Sequence, residues 1–87
     1  MQGNLPRNLS RKIQRQMQSR GWTVQDIDDV LNNPNASRPA TNRATGNAAT
    51  AYFRADGHYV VRDDVTTDIV QISNRNDPNW VRDPAIQ

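Results

Sequence analysis

Residues 50–63 read TAYFRA, then Asp56-Gly57, then HYVVRD. Two runs rich in aromatic and β-branched side chains around an Asp-Gly pair form a strong hairpin signal, because both turn residues tolerate positive φ. A two-residue turn would set Phe53 against Val60, Tyr52 against Val61 and Tyr59 opposite Arg54. An isolated two-stranded hairpin is marginal in water, so the rest of the chain must supply more strands and a cover. DIVQIS, after the DDVTT turn, reads as a third strand. Strands are therefore expected at about 50–55, 58–63 and 68–73. The remaining tail is polar apart from Trp80, Val81 and Ile86, and Trp80 is expected to fold back over an exposed end of the sheet.

The cover is found in the first third of the chain. In PRNLSRKIQRQMQSRG, Leu5, Leu9, Ile13 and Met17 recur at four-residue spacing and leave Arg and Gln on the other faces, which predicts an amphipathic helix over about 6–20. Asn8 or Ser10 can cap it, or Pro6 can occupy its first turn, and Gly21 suits the residue just past its end. A second helix over about 24–32 opens with Thr23 and Asp26 in the spacing of a capping box and buries Ile27, Val30 and Leu31. Pro34 closes it. Trp22 falls at the corner between the helices and reads as a core anchor. Residues 33–49, rich in Asn, Pro, Thr and Ala, fit no period and read as a long loop, a length usually reserved for function. That loop carries Arg38 and Arg43, no acid, and Gly46 at a turn or close approach. The order predicts an α+β fold, two N-terminal helices on a small antiparallel sheet, in a single domain over 1–87.

Composition removes several classes of function. With 87 residues and no cysteine, the chain has room for one modest core, no disulfide and no thiolate metal site. There is one His and no Glu, so no metal and no cofactor are expected. Mean hydropathy is −0.92, no apolar run approaches the roughly 20 residues of a membrane span, and the opening MQGNLPRNLSRKIQ lacks the apolar region of a signal peptide. Charge is more telling in its distribution than in its total of +2. Residues 1–22 carry +5, residues 23–32 carry −3, residues 33–55 carry +3 and residues 56–87 carry −3. Ten of the eleven basic residues are Arg, whose planar fork suits phosphate and stacks on bases. A polyanion, nucleic acid above all, is one reading of this pattern; a solvated surface is the other.

The usual catalytic constellations are missing. The single His58 allows neither a Cys-His pair nor a paired-His ribonuclease site, and beside a turn it reads more readily as a structural residue. Asp28 and Asp29 are helix neighbours that point in different directions. What remains is the basic helix with Lys12, Arg15 and Arg20. Lys12 and Arg20 lie eight residues apart, offset by about 80° around the axis, from where long side chains could converge on one phosphate. Tyr52, Arg54 and Tyr59 would interleave aromatic and basic groups on one sheet face, an arrangement able to hold RNA by stacking and phosphate contact. Equally, both tyrosines could belong to the core.

The stretches NLSRKIQRQMQSRGWT, DIDDVLNNP, ATGNAATAYFRADGHYVVRDD and IVQISNRNDPNW, in that order, cover nearly the whole chain. As an ordered set they resemble the C-terminal ribonuclease domain of the tRNA anticodon-cleaving colicins and related toxin tips of contact-dependent inhibition systems. The resemblance implies a fold of the barnase/RelE-like toxin ribonuclease group and cleavage within the anticodon loop of selected tRNAs. It also implies a 2′,3′-cyclic phosphate product, with no metal and no catalytic His. By this resemblance Lys12 and Arg20 are the catalytic residues, and Arg43 is the nearest match to a further basic residue of the long loop. Arg15, Arg43, Tyr52, Arg54 and Tyr59 are then expected to bind substrate. The implied partners are a tRNA anticodon loop and a cognate immunity protein, expected to be acidic, with no membrane contact by the domain itself. The domain would be cargo of a larger toxin, acting in the cytoplasm of a target cell. Two departures stand out: Ala48 replaces a frequent Pro, and Thr67 occupies a usual Gly turn position. A noncatalytic RNA-binding module and a charge-patterned protein-interaction domain remain as alternatives.

Overall fold

The capping residues place both helices. In the computed structural model, which describes residues 5–87, α1 spans Arg11–Arg20 and α2 spans Val24–Asn32. Ser10 is the α1 cap, its hydroxyl accepting from the Ile13 amide at 3.2 Å. Gly21 ends the helix at φ 79, a conformation costly for any residue with a Cβ. At α2 the capping box is complete: the Asp26 amide donates to the Thr23 hydroxyl at 3.0 Å, and the Thr23 amide to the Asp26 carboxylate at 3.1 Å. The helix expected from residue 6 thus starts five residues late. Residues before Ser10 instead pair in parallel with the chain ahead of the last strand, through Asn8 N to Thr67 O at 2.9 Å and Ile69 N to Asn8 O at 3.0 Å. Leu5 and Leu9 still pack against the core, from outside the helix.

The sheet has four antiparallel strands in the order β1-β2-β3-β4: β1 Ala36–Thr41, β2 Ala48–Phe53, β3 Tyr59–Asp63 and β4 Ile69–Ile72. Two features differ from expectation. First, β1 lies inside the stretch read as a loop. Its sequence ASRPAT has no alternation, and all but Ala40 are exposed, so period-2 reasoning has nothing to detect. Pro39 is tolerated because its missing donor faces the outer edge, the side on which its carbonyl accepts from the Gln87 amide at 2.8 Å. Second, the hairpin turn uses three residues, Ala55, Asp56 and Gly57. The Arg54 amide donates to the His58 carbonyl at 2.7 Å, and Gly57 takes φ 89. Tyr59 therefore pairs with Phe53, and Tyr52 with Val60, one residue away from the register predicted. That slip moves Tyr59 onto the Phe53 face.

The two faces of the sheet are packed differently. Helices cover one, where Ile13, Met17, Trp22, Ile27, Val30 and Leu31 meet Val60, Ile69 and Ile72. Trp22 is the expected anchor, its indole N–H donating to the Ser73 carbonyl at 2.7 Å. The other face carries Ala40, Ala49, Ala51, Phe53, Tyr59 and Val61 under the C-terminal tail, with Ile86 and half-buried Trp80 on top. Trp80 does fold back, donating from Nε1 to the Tyr59 hydroxyl at 3.1 Å.

Asp63, fully buried at the end of β3, ties two turns together. Its carboxylate accepts from the side-chain amides of Asn42 and Asn47 at 2.8 and 3.1 Å, and from the amides of Val65 and Thr66 at 2.7 and 2.9 Å. The Asn42 amide and the other donors hold its pKa well below the usual carboxylate range, against the opposing effect of desolvation. The second of these turns ends at Thr67 with φ 67. A β-branched residue is rare there, and Asn8 holds it in place through the Thr67 carbonyl and hydroxyl.

Candidate active site: a basic cleft between helix α1, the 42–47 turn and the C-terminal tail

The tail-covered face is built on alanines, which leave room. A cleft of about 330 Å³ opens there, lined from α1 by Lys12, Gln16 and Arg20, from the turn after β1 by Asn42, Arg43 and Ala44, and from the tail by Asp83, Ala85 and Ile86. Lys12, Gln16 and Arg20 recur every four residues, so they form one row beside the buried Ile13 and Met17. Three cations from two distant segments face one carboxylate, Asp83.

Each cation is set differently. Arg20 is the most constrained: Nη1 donates to the Ile72 carbonyl at 2.7 Å, and its guanidinium lies 5.3 Å from the centre of the Trp80 ring. No carboxylate pairs with Arg20 or Lys12 among the described residues. Arg43 is carried by a turn that Asn42 organises. The buried Asn42 accepts from Gly46 N at 2.7 Å through its carbonyl and from Ala44 N at 3.1 Å through its side chain, while its amide reaches Asp63. The Arg43 guanidinium itself pairs with Asp83 at 3.1 Å.

The other residues singled out in the sequence lie elsewhere. Arg15 is exposed on α1 and does not line the cleft. Tyr52 packs half-buried against the helix-side core. Tyr59, 1% exposed, sits beneath the tail, its hydroxyl accepting from Trp80 Nε1 and the Asp83 amide. Arg54 belongs to a separate cluster, paired with Asp56 at 3.2 Å and Asp26 at 3.7 Å and lying 5.8 Å from the Trp22 ring centre. His58 bonds Ser73 Oγ through Nδ1 at 2.9 Å. Sequence reasoning missed Gln16, Asn42, Gln71 and Asp83. Only Gln16 left a signal, midway between Lys12 and Arg20. Among the described residues no three His, Cys, Asp or Glu side chains gather as a metal site would need, and no helix is long and apolar enough to cross a membrane.

The chain matches the colicin E5 ribonuclease domain over residues 9–85, nearly its whole length and all of the cleft except Ile86. It belongs to that family of ribonuclease toxin domains. Two relatives agree. The tRNA nuclease CdiA of Burkholderia pseudomallei is 33% identical over 84 residues, covering 87% of this chain and 7% of that protein. Colicin-E5 of Escherichia coli is 33% identical over 88 residues, covering 91% of this chain and 49% of the colicin. This chain thus spans half or less of the relatives it matches.

Proposed function

We propose that this domain is an endoribonuclease that cuts the anticodon loop of particular tRNAs without a metal ion, by attack of a ribose 2′-hydroxyl on the adjacent phosphate. The observation that carries the reading is the meeting of Lys12, Arg20 and Arg43 in one cleft, in a chain of a ribonuclease family with a relative named a tRNA nuclease. The 2′-oxygen bonds to phosphorus as the bond to the 5′-oxygen breaks, leaving a 2′,3′-cyclic phosphate. The 2′-hydroxyl gives up its proton to water and the departing 5′-oxygen takes one. Negative charge builds on the nonbridging oxygens, and cations fixed beforehand in the cleft stabilise that state more than the ground state. Arg20 fits this part because Ile72 and Trp80 already hold its guanidinium still. Arginine stays protonated, so it stabilises charge and moves no proton. Lys12, the only lysine of the chain, is the cleft cation able to hand a proton to the 5′-oxygen. Electrostatics and an in-line geometry are the larger contributions. Single-stranded loops expose the base edges by which one tRNA is told from another.

The same reading gives the domain a cognate immunity protein, acidic to suit the cleft, and delivery into a target cell as part of a longer toxin. The test is to incubate the domain with total tRNA in chelator and sequence the fragment ends. Discrete cuts in anticodon loops with cyclic phosphate termini are expected. Intact tRNA across all isoacceptors would overturn the reading, and salt-dependent binding without scission would point to a noncatalytic module.

A further inference from the structure

The cleft contains one acid. A carboxylate among cations that face phosphate weakens the attraction for RNA, so its presence calls for a role. Asp83 is built in firmly. Its Oδ1 accepts from the Ala85 amide at 2.7 Å, its Oδ2 accepts from Gln71 Nε2 at 2.8 Å, and its own amide donates to the buried Tyr59 hydroxyl at 3.1 Å. The side chain is 19% exposed. Arg43 is the opposite case: its side chain is 64% exposed, on a turn, and Asp83 at 3.1 Å is its one ionic partner among the described residues. A long exposed guanidinium without such a partner samples many rotamers, and ordering it costs entropy at the moment of reaction.

We propose that Asp83 is a positioning residue of the cleft: held from below by Tyr59, Gln71 and Ala85, it fixes the Arg43 guanidinium over the cleft. Asp83 acts through Arg43 and not on the RNA. The tail segment thereby becomes part of the active site, and β3 and β4 feed into it through Tyr59 and Gln71. This inference rests on the ribonuclease reading above, in which Arg43 meets the phosphate.

The experiment compares wild type, Asp83→Asn, Arg43→Ala and the double variant. Asn retains the oxygen that accepts from Ala85 and removes the charge that holds Arg43. It also places an amide donor where Oδ2 accepted from Gln71, a contact that a flip of the Gln71 amide restores. Single-turnover cleavage of a saturating tRNA anticodon stem-loop is expected to fall about 10- to 100-fold in Asp83→Asn. Affinity for the same RNA with a 2′-deoxy substitution at the cut site is expected to hold or tighten, because one negative charge has left the cleft. In the Arg43→Ala background the added Asp83→Asn change is expected to cost less than about twofold, the mark of two residues acting as one unit. A loss of equal size in both backgrounds, or an Asp83→Asn variant that cuts like wild type, overturns the inference alone. A wild-type domain that cuts no RNA removes the ribonuclease reading, and the inference with it. A second readout needs no cleavage: the Nε–H of Arg43 is expected to be ordered in ¹⁵N relaxation of the wild type and mobile in Asp83→Asn. Equal mobility in the two proteins also overturns the proposal.

Discussion

Two tryptophans in this small fold each carry arginine over the ring, and their surroundings differ in one respect. At Trp22, Arg54 and Arg75 both flank the indole at 5.8 and 5.5 Å, and both pair with Asp26. Desolvation would push the Asp26 carboxyl up, but hydrogen bonds from Thr23 and the Arg75 charge outweigh it and keep it ionised to lower pH than usual. At Trp80, Arg20 lies at 5.3 Å with a backbone carbonyl for support and no carboxylate partner among the described residues. The first cluster is electrically closed and fastens the corner between α1 and α2 to the hairpin and the tail. The second is geometrically fixed yet keeps its charge available. At these two rings the arginines that fasten the fold meet an acid, whereas Arg20, proposed to face the phosphate, is supported by neutral groups.

The largest expected effect separates the tryptophans. Trp22→Ala removes a buried anchor and strands the Ser73 carbonyl, so chemical denaturation is expected to show a loss of about 3–5 kcal/mol. Trp80→Ala, at a half-buried ring, is expected to cost about 1 kcal/mol of stability while slowing RNA cleavage at least tenfold, by releasing Arg20. Equal stability losses in the two variants would erase the contrast. The next effect separates the arginines. Removing one preorganised charge donor from a reacting centre typically costs about 10²–10³ in rate. Arg20→Ala and Lys12→Ala are expected to show that loss in single-turnover assays while melting near the wild-type temperature. Arg54→Ala is expected to keep cleaving, with a small fall in melting temperature. An Arg54→Ala variant as inactive as Arg20→Ala would move the active site to the wrong tryptophan.

A smaller effect sharpens how the cleft is kept in shape. Because the folded Asp63 carboxyl is more acidic than its unfolded counterpart, its contribution to stability is fully present above about pH 4 and is lost as pH falls through the folded value. Hydrogen exchange on acidification is expected to reveal the 42–47 and 64–67 turns opening before the helices. Asp63→Asn is expected to show the same opening at neutral pH, and simultaneous loss of the whole fold would count against a local role. The smallest effect concerns Thr67. Replacing a β-branched residue at φ 67 by Gly relieves backbone strain at the cost of the bond that Asn8 Nδ2 donates to the Thr67 hydroxyl. Thr67→Gly is expected to stabilise by up to about 1 kcal/mol in thermal melts, and destabilisation would show that the Asn8 contact outweighs the strain.

Much of this architecture is legible along the chain because its signals are local. Ser10, Thr23 with Asp26, and Gly21 specify helix ends through bonds to residues within four positions, and Ile13, Met17, Ile27, Val30 and Leu31 announce their faces by spacing. β1 is illegible for the reason that its neighbours are readable: ASRPAT buries one small side chain, and its pairing is fixed by β2 and the tail and not by its own pattern. The hairpin register was hidden because Asp-Gly serves a two-residue turn and the end of a three-residue turn equally well. One position decides whether Tyr59 faces Arg54 or Phe53.

The site divides along the same line. Local pattern along the chain specifies the two helices, the hairpin, the Trp22 anchor and a basic α1 carrying Lys12 and Arg20. Its ordered motifs determined the ribonuclease toxin family. Folding in three dimensions is what brings Arg43, more than twenty residues further on, into a cleft with them, leaves Tyr52, Arg54 and Tyr59 outside it, and sets Asp83 in their midst. Local bonds and periodic burial leave a mark on neighbouring residues. The meeting of distant side chains depends on a strand register and a folded-back tail, which are settled only when all the long-range contacts form together.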